Sequence, residues 1–167
     1  MPVEIERKFL VEGDAWRRDV SQSHRMAQGY LAGPPTSRSS VRVRVVDGVA
    51  HLNIKSATLG VERDEYEYEI PPADAERMLA TLCGERVEKV RHHVRIEGHL
   101  FEVDEFLGEN AGLVVAEIEL DHADEPFPHP DWLGAEVSAL ARYYNVNLAT
   151  HPYARWSAEE RAARDAT

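Results

Sequence analysis

Ionic and apolar side chains alternate in segment after segment of this chain. In residues 3–11, Glu4, Glu6 and Lys8 alternate with Ile5 and Phe9. The same period of two returns in residues 41–45, 51–56, 63–70, 89–97, 101–104 and 117–120. Because successive side chains of a β-strand point to opposite faces, the pattern predicts strands with one apolar and one ionic face. A single such strand could turn its charges to water, but the strict repetition needs a further reason.

The predicted elements are mainly short strands. About eight strands are expected, over residues 3–11, 24–31, 41–45, 51–56, 61–70, 89–97, 101–104 and 113–120. Asp47-Gly48, between two of these strands, is a strong hairpin signal. Residues 73–83 carry apolar side chains at helical spacing, so we expect a helix that covers the apolar outside of the sheet.

The last third of the chain has a different pattern. Residues 131–144, which include Trp132, Val137 and Leu140, predict an amphipathic helix, and a short turn or helix is expected over 145–149. Ser157 and Glu160 have the spacing of a capping box that opens a terminal helix. Because the apolar face of this helix is weak, residues 153–167 are expected to dock loosely.

Length and composition exclude several classes of protein. The 167 residues, 43% of them hydrophobic, predict a single domain over 1–167 with its own core. One cysteine, Cys83, excludes an internal disulfide, and no apolar run approaches the roughly 20 residues of a membrane span. The start of the chain lacks a signal-peptide pattern, so we expect a cytoplasmic location. The net charge of -11 argues against a nucleic-acid partner.

The ionic faces of the predicted strands can be arranged in two ways. In a flat sheet they would face solvent, whereas in a closed antiparallel barrel they would line a polar tunnel. Exposed strand faces usually mix Thr, Ser, Gln and Lys, but these faces are almost entirely Glu, Arg and Lys. Such charges are costly to crowd together unless they bind a ligand or one another. We therefore predict an α+β fold, a closed eight-stranded antiparallel β-barrel with a charged interior and helices packed on the outside.

A ligand that matches both signs of charge is a metal-bound polyphosphate. Arginines and lysines bind nonbridging phosphate oxygens, while carboxylates bind Mg²⁺ or Mn²⁺ that bridges to the same phosphates. The chain has no P-loop or glycine-rich nucleotide motif, so side chains would have to hold the phosphates. A tunnel of mutually paired charges without any function stays open as the alternative.

Several motifs resemble the CYTH superfamily, the triphosphate tunnel metalloenzymes. Glu4-Ile5-Glu6-Arg7-Lys8 is similar to the ExExK signature of that family. The resemblance continues in order along the chain through Gln28-Gly29-Tyr30-Leu31, Val41-Arg42-Val43-Arg44, Ile54-Lys55-Ser56, residues 65–70, Glu88-Lys89-Val90-Arg91, Phe101-Glu102-Val103-Asp104, Ala116-Glu117-Ile118-Glu119-Leu120, Trp132-Leu133-Gly134-Ala135-Glu136-Val137 and Arg142-Tyr143-Tyr144-Asn145. It extends to about Pro152 and is most similar to the bacterial inorganic tripolyphosphatase branch.

The resemblance implies a function and a set of site residues. It implies a hydrolase of phosphoanhydride bonds in triphosphate substrates, most directly inorganic tripolyphosphate, that depends on Mg²⁺ or Mn²⁺. The carboxylates expected to bind metal are Glu4, Glu6, Glu102, Asp104, Glu117 and Glu119. The expected triphosphate ligands are Lys8, Arg42, Arg44, Lys55, Lys89 and Arg91.

Two residues are candidates for catalytic proton transfer. Lys89 and Tyr30 carry a titratable amine and phenol that could assist the attacking water or the leaving group. A plain phosphate ligand and a tunnel-wall aromatic are the equally open alternatives for them.

Other functions are compatible with the same resemblance. An adenylyl cyclase, a thiamine triphosphatase and a module that binds polyphosphate without turnover all stay open. The expected partner is a small-molecule triphosphate, with neither nucleic acid nor membrane, and a homodimer is left open.

Overall fold

The computed structural model describes residues 3–162. Its strands are β1 (Val3–Val11), β2 (Val20–Ala32), β3 (Ser39–Val46), β4 (Val49–Ser56), β5 (Glu62–Ile70), β6 (Val87–Ile96), β7 (His99–Phe106), β8 (Val114–Glu119) and β9 (Leu133–Glu136). Its α-helices are α1 (Pro72–Thr81), α2 (Asn145–Thr150) and α3 (Ala158–Ala162). Short 3-10 turns cover Ala15–Asp19, Gly108–Asn110, Ala141–Tyr143 and Tyr153–Arg155.

The first eight strands close into an antiparallel barrel. Their order around the barrel is β1-β5-β4-β3-β2-β6-β7-β8, and β8 returns to β1. Strand β1 closes the ring because Glu4 pairs with Arg63 of β5, while Lys8 pairs with Glu117 of β8. The short β9 lies beside the far end of β1, at Phe9 and Val11. The prediction of a closed eight-stranded antiparallel barrel is therefore confirmed, with one additional strand.

The hairpin between β3 and β4 has the predicted tight turn. Asp47 and Gly48 have φ values of 50° and 77°, the pair of left-handed residues that a type I′ turn requires. This turn fixes the register that places Arg42 opposite Asn53 and Arg44 opposite His51. The inward face of β3 is therefore set by local turn chemistry.

The hydrophobic core lies outside the barrel, because the interior is ionic. Helix α1 buries Ala75 and Leu79 against Val43 and Ala50 of the sheet, as the helical spacing predicted. A close approach is possible because β2 carries Gly29, where an added Cβ would lie 2.8 Å from the Cβ of Cys83. On the opposite side, larger clusters of aromatic and aliphatic residues cover β1 and β6–β8.

The prediction of an amphipathic helix over residues 131–144 is wrong. Residues 133–136 form β9 instead, and the backbone N–H of Val137 donates to the carbonyl of Lys8. Strand β5 pairs only with the first residues of β1. The backbone N–H and C=O groups in the second half of β1 are therefore available on the edge where β9 pairs. Gly134 permits the close pairing, because a Cβ there would lie 2.9 Å from the carbonyl oxygen of Leu10. Edge pairing thus outweighs the helical spacing of the apolar residues.

The segment after α2 is anchored by one aromatic residue. Trp156 is buried against Tyr143 and Tyr153. The predicted capping box is present, since the backbone N–H of Glu160 donates to Ser157 Oγ and the Glu160 carboxylate accepts from the N–H of Ser157. Residues 163–167 of the tail expected to dock loosely lie outside the described residues. No helix within residues 3–162 is long and apolar enough to cross a membrane.

Candidate active site in the tunnel

The inward faces of the strands enclose a polar cavity of about 180 Å³. Period-two alternation brings 11 of the 13 predicted site residues to its wall: Glu4, Glu6, Lys8, Tyr30, Arg42, Arg44, Lys55, Arg91, Glu102, Glu117 and Glu119. The two others, Lys89 and Asp104, lie behind the wall and are fully buried. Strand parity therefore identified the inward-facing side chains, and depth along the barrel decides which of them reach the cavity.

The carboxylates of β1, β7 and β8 form one wall, which we call the acidic wall: Glu6, Glu102, Glu117 and Glu119. The strand register places Glu6 directly opposite Glu119, and Glu102 directly opposite Glu117. Like charges in directly opposed positions destabilise a sheet unless something neutralises them. Burial, together with the nearby charges of Glu117 and Glu4, raises the pKa of Glu6 to about 8. The acidic wall is therefore short of positive charge at Glu6, where the nearest cation among the described residues is Arg63, at 3.9 Å.

Two basic residues neutralise Glu117 of this wall. Lys8 Nζ donates to Glu117 Oε1 at 2.9 Å, and Arg91 Nη2 donates to Glu117 Oε2 at 3.1 Å. Burial alone would raise the pKa of Glu117, but Lys8 and Arg91 outweigh it and lower that pKa well below its usual range. Arg91 also donates to Glu102, at 3.0 Å.

Asp104 and Lys89 form an ion pair behind the acidic wall. Lys89 Nζ lies 2.7 Å from Asp104 Oδ2, and both side chains are fully buried. Arg91 occupies both Asp104 oxygens, with contacts of 2.7 Å and 2.8 Å. Burial lowers the pKa of Lys89 to about 7, against the opposing effect of Asp104. In this conformation neither residue meets a ligand in the cavity directly.

Glu4 is held by two cations at another part of the wall. Lys55 Nζ donates to both Glu4 oxygens, at 2.8 Å and 3.0 Å, and Arg63 donates at 3.2 Å. Burial acts to raise the pKa of Glu4, but Lys55 and Arg63 prevail and lower it to about 2. Glu4 therefore stays ionised throughout the neutral range.

The inward arginines of β3, Arg42 and Arg44, form the basic wall. Within residues 3–162 neither one makes an ion pair with a carboxylate. Arg42 is buried, and its Nε has no hydrogen-bond partner among those residues. Arg44 Nε donates only to the neutral Gln28, at 3.0 Å. Burial and the repulsion of Arg42 and Arg91 lower the pKa of Arg44 to about 9, so this wall lacks an anion.

The two walls face each other across the tunnel. Strand β3 and strand β8 are separated by four steps in either direction around the ring. Anionic ligands would therefore be favoured on the β3 side and cationic ligands on the β8 and β1 side of one cavity. A ligand that carries both signs, such as a cation bound to a polyphosphate, complements this arrangement.

The six predicted metal ligands are not gathered into a ready-made metal site. Within residues 3–162 no three His, Cys, Asp or Glu side chains are close enough together to hold a metal ion. The donor chemistry of the acidic wall nevertheless fits a hard divalent cation, because Glu6 and Glu119 are directly opposed in the sheet and burial with neighbouring carboxylates raises the pKa of both. Asp104 does not fit, since it is fully buried and does not line the cavity.

Sequence reasoning missed several residues of the cavity wall. Arg63 begins the alternating segment 63–70 and lines the cavity, but its ion pair with Glu4 cannot be read from the pattern. Tyr144 and Asn145 also line the cavity. They lie at the end of a 3-10 turn and the start of α2, where neither the strand period of two nor the helical period of 3.6 predicts which side chains face the site. The ring of Tyr144 lies 5.2 Å from Lys8 Nζ and 5.1 Å from Arg63 Cζ. Both lie in the segment Arg142-Tyr143-Tyr144-Asn145, which resembles the CYTH family, but no individual role was predicted for them.

Comparison with known proteins shows the family to which the chain is similar. The sequence model of the CYTH domain family matches residues 2–153. An inorganic triphosphatase of Acetivibrio thermocellus is 46% identical over 154 residues, which cover 92% of this chain and 97% of that protein. An inorganic triphosphatase of Nitrosomonas europaea is 36% identical over 149 residues, covering 87% and 96%. The crystal structure of an inorganic triphosphatase superposes with a TM-score of 0.64 at 35% identity and covers 87% of this chain and 93% of that one.

Proposed function

Because the chain belongs to the CYTH domain family, we propose that it is a metal-dependent hydrolase of phosphoanhydride bonds in triphosphates, with inorganic tripolyphosphate as its substrate. The observation that carries the proposal is the pair of opposed walls, in which unpaired arginines face crowded carboxylates in one closed cavity. The names of the similar triphosphatases support the choice of substrate. A cytoplasmic location stays a prediction.

We assign phosphate binding first to Arg42 and Arg44. Both lie in the cavity wall and have guanidinium N–H groups to spare, so a bound polyphosphate would supply the anion that they lack. Lys8, Lys55 and Arg91 also line the cavity, but each shares its charge with carboxylates. Their contribution to phosphate binding is therefore weaker. Lys89 acts from behind the wall as a positioning residue.

Divalent cation binding is assigned to carboxylates that reach the cavity. These are Glu4, Glu6, Glu102, Glu117 and Glu119, and oxygen donors of this kind favour Mg²⁺ or Mn²⁺. A bound cation would neutralise charge on the reacting phosphoryl group and activate water. Asp104 instead holds Arg91 and Lys89 in place.

The reaction breaks one P–O–P bond and forms a bond between phosphorus and a water oxygen. The arginines of the basic wall hold the nonbridging oxygens and offset the charge that develops during transfer. A carboxylate of the acidic wall accepts a proton of the attacking water, and the leaving phosphate oxygen takes up a proton. Tyr30 lines the cavity and its hydroxyl accepts a hydrogen bond from Gln28 at 3.1 Å, so it is placed to orient or protonate that oxygen. The products are orthophosphate and pyrophosphate.

The proposal is tested by the release of phosphate from tripolyphosphate, ATP and thiamine triphosphate. Each substrate is assayed with Mg²⁺, with Mn²⁺ and with a chelator, and cyclic AMP is measured in the ATP reactions. We expect fast, metal-dependent cleavage of tripolyphosphate that is lost in a Glu4→Gln, Glu6→Gln double variant. Formation of cyclic AMP would replace the proposal with a cyclase, and tight binding without turnover would replace it with a binding module.

A further inference from the structure

We infer that Asn145 is a further substrate-binding residue, whose side-chain amide donates to a phosphate oxygen in the tunnel and is oriented for this by Lys89 and Gln28. Asn145 is the first residue of α2 and lies outside the barrel strands. It nevertheless forms part of the cavity wall. The inference rests on the proposed function, because it concerns the same bound polyphosphate.

The orientation of the Asn145 amide is fixed by its neighbours. Its Oδ1 accepts from Lys89 Nζ at 3.0 Å and from Gln28 Nε2 at 3.2 Å. An ammonium group can only donate, so the atom that faces Lys89 must be the amide oxygen and the alternative amide flip is excluded. Both lone pairs of Oδ1 are thereby used.

The other end of the amide has donors left over. Asn145 Nδ2 carries two N–H groups, and within residues 3–162 it donates to no side chain or carbonyl. The residue is buried in the wall of a cavity whose lining is polar and charged. The Nδ2 atom is not among the buried side-chain atoms that lack a partner, so it is accessible from the cavity, where a phosphate oxygen would accept its hydrogen bonds.

The same contacts connect Asn145 to the basic wall. Gln28 is fully buried and uses its amide on three partners: it accepts from Arg44, and it donates to Tyr30 and to Asn145. Gln28 thus holds the guanidinium of Arg44 and the amide of Asn145 in a fixed relation. An oxygen bound by Arg44 would lie beside the free N–H groups of Asn145, which makes this amide an uncharged addition to the phosphate site.

The contact with Asn145 also gives the buried ammonium of Lys89 a role in substrate binding. It cannot contact a ligand in the cavity, but it bonds Asp104 on one side and Asn145 on the other. Its contribution to binding therefore passes through the Asn145 amide. Lys89 and Gln28 are positioning residues, and Asn145 is the residue that touches substrate.

The test is calorimetric titration of tripolyphosphate into metal-free protein, with the wild type compared with Asn145→Asp and Asn145→Ala. Asn145→Asp keeps the acceptor for Lys89 and Gln28 but replaces the donor by an anionic oxygen, so we expect Kd to rise about 10- to 100-fold. Asn145→Ala removes the donor without adding charge, and about a 3- to 10-fold rise is expected. Thr150→Asp is the control on the same helix, since Thr150 is exposed and lines neither the tunnel nor the adjoining pocket, and its Kd should stay within about twofold.

Each result decides between specific alternatives. Equal Kd values for Asn145→Asp, Asn145→Ala and the wild type would overturn the inference, as would a loss confined to Asn145→Asp, which would indicate charge repulsion alone. Melting temperatures identify any variant that fails to fold, and if Asn145→Ala does, Asn145→Leu, which also removes the donor without adding charge, takes its place. Absence of tripolyphosphate binding and turnover in the wild type would reject the proposed function itself.

The positioning role of Lys89 is tested by a double-mutant cycle. If Lys89 acts through the amide, Lys89→Met weakens tripolyphosphate binding in the wild type but has less than about a twofold effect in the Asn145→Ala background. An equal loss in both backgrounds would mean that Lys89 contacts the substrate itself.

Discussion

Two basic pairs in the tunnel, Arg42 with Arg44 on β3 and Lys89 with Arg91 on β6, are in opposite electrostatic situations. Lys89 and Arg91 are neutralised by Asp104, Glu102 and Glu117 at distances of 2.7–3.1 Å. Arg42 and Arg44 have no carboxylate partner among the described residues, and the Nε of Arg42 is buried without any partner. One pair therefore stabilises the folded barrel, whereas the other keeps binding capacity for an anion.

This difference separates stability from function within one sheet. A buried ion pair that loses one partner leaves an uncompensated charge, which is strongly destabilising. A buried cation without a partner already carries that cost in the free protein and recovers it when an anion binds. Substitutions in the two pairs should thus differ in what they change.

The largest expected effect is on turnover by Arg42→Met. Loss of charge-assisted hydrogen bonds to phosphate should lower kcat/KM for tripolyphosphate by about 10²- to 10³-fold. The melting temperature should stay equal or rise, because an unpaired buried charge has been removed. Steady-state kinetics and thermal melting on the same preparation check both parts. A variant that loses stability while retaining kcat/KM would reverse the assignment of the basic wall.

Arg91→Met should have its main effect on stability. The substitution leaves Asp104 and Glu117 short of a partner, so we expect the free energy of unfolding to fall by about 3–5 kcal/mol. Denaturant unfolding measures this change, with Arg42→Met as the matched control on the opposite wall. Equal stability of the two variants would show that ion pairing does not distinguish the two pairs.

A smaller effect with a characteristic pH dependence is expected at Glu6. The pKa of Glu6 is raised to about 8 in the folded protein, so its carboxyl is ionised in the unfolded chain but not in the folded one between about pH 4.5 and pH 8. Stability of the metal-free protein should therefore fall as pH rises through this window. Glu6→Gln removes the penalty and should raise the melting temperature by about 2–4 °C for each kcal/mol gained.

The pH and metal controls for Glu6→Gln are direct. Thermal melting in chelator should show a gain at pH 9 that vanishes near pH 4, where the wild-type carboxyl is protonated in both states. Added Mn²⁺ should stabilise the wild type more than Glu6→Gln. A pH-independent gain would mean that the substitution acts through packing and not through charge.

The smallest effect is expected for Tyr144→Phe. The hydroxyl donates to the Ser138 carbonyl at 2.6 Å, and its loss should lower the free energy of unfolding by about 1 kcal/mol. The ring stays near Lys8 and Arg63, so the affinity for tripolyphosphate should be unchanged. A large loss of affinity in a calorimetric titration would assign the hydroxyl to the anion site and weaken the contrast between the walls.

The sequence predicted which side chains face inward much better than it predicted their partners. A period of two gives strand parity directly, so the alternation put Glu6, Arg42 and Arg44 on ionic faces, and the almost purely ionic composition of those faces favoured a tunnel. Pairing depends on depth along the barrel and on neighbours distant in sequence. Lys89 and Arg42 were therefore both predicted to bind the triphosphate, although Lys89 is buried and bonded to Asn145, whereas Arg42 lines the cavity.

The errors are concentrated where chain geometry depends on tertiary contacts. Trp132, Val137 and Leu140 do have helical spacing. Residues 133–136 nevertheless form a strand, because they pair with the otherwise unpaired edge of β1. Asn145 had no periodic signal at all, because its importance comes from Lys89 and Gln28, which lie on two barrel strands. Patterns within a segment cannot report such contacts between segments.

The most direct test of the divided tunnel is one calorimetric titration of tripolyphosphate into metal-free wild type, Arg42→Met and Glu119→Gln. If the basic wall holds the anion and the acidic wall holds the cation, Arg42→Met should weaken binding at least about 10-fold, while Glu119→Gln leaves it unchanged or tightens it. Unchanged binding by Arg42→Met, or equal losses in both variants, would contradict the division of the tunnel into two walls.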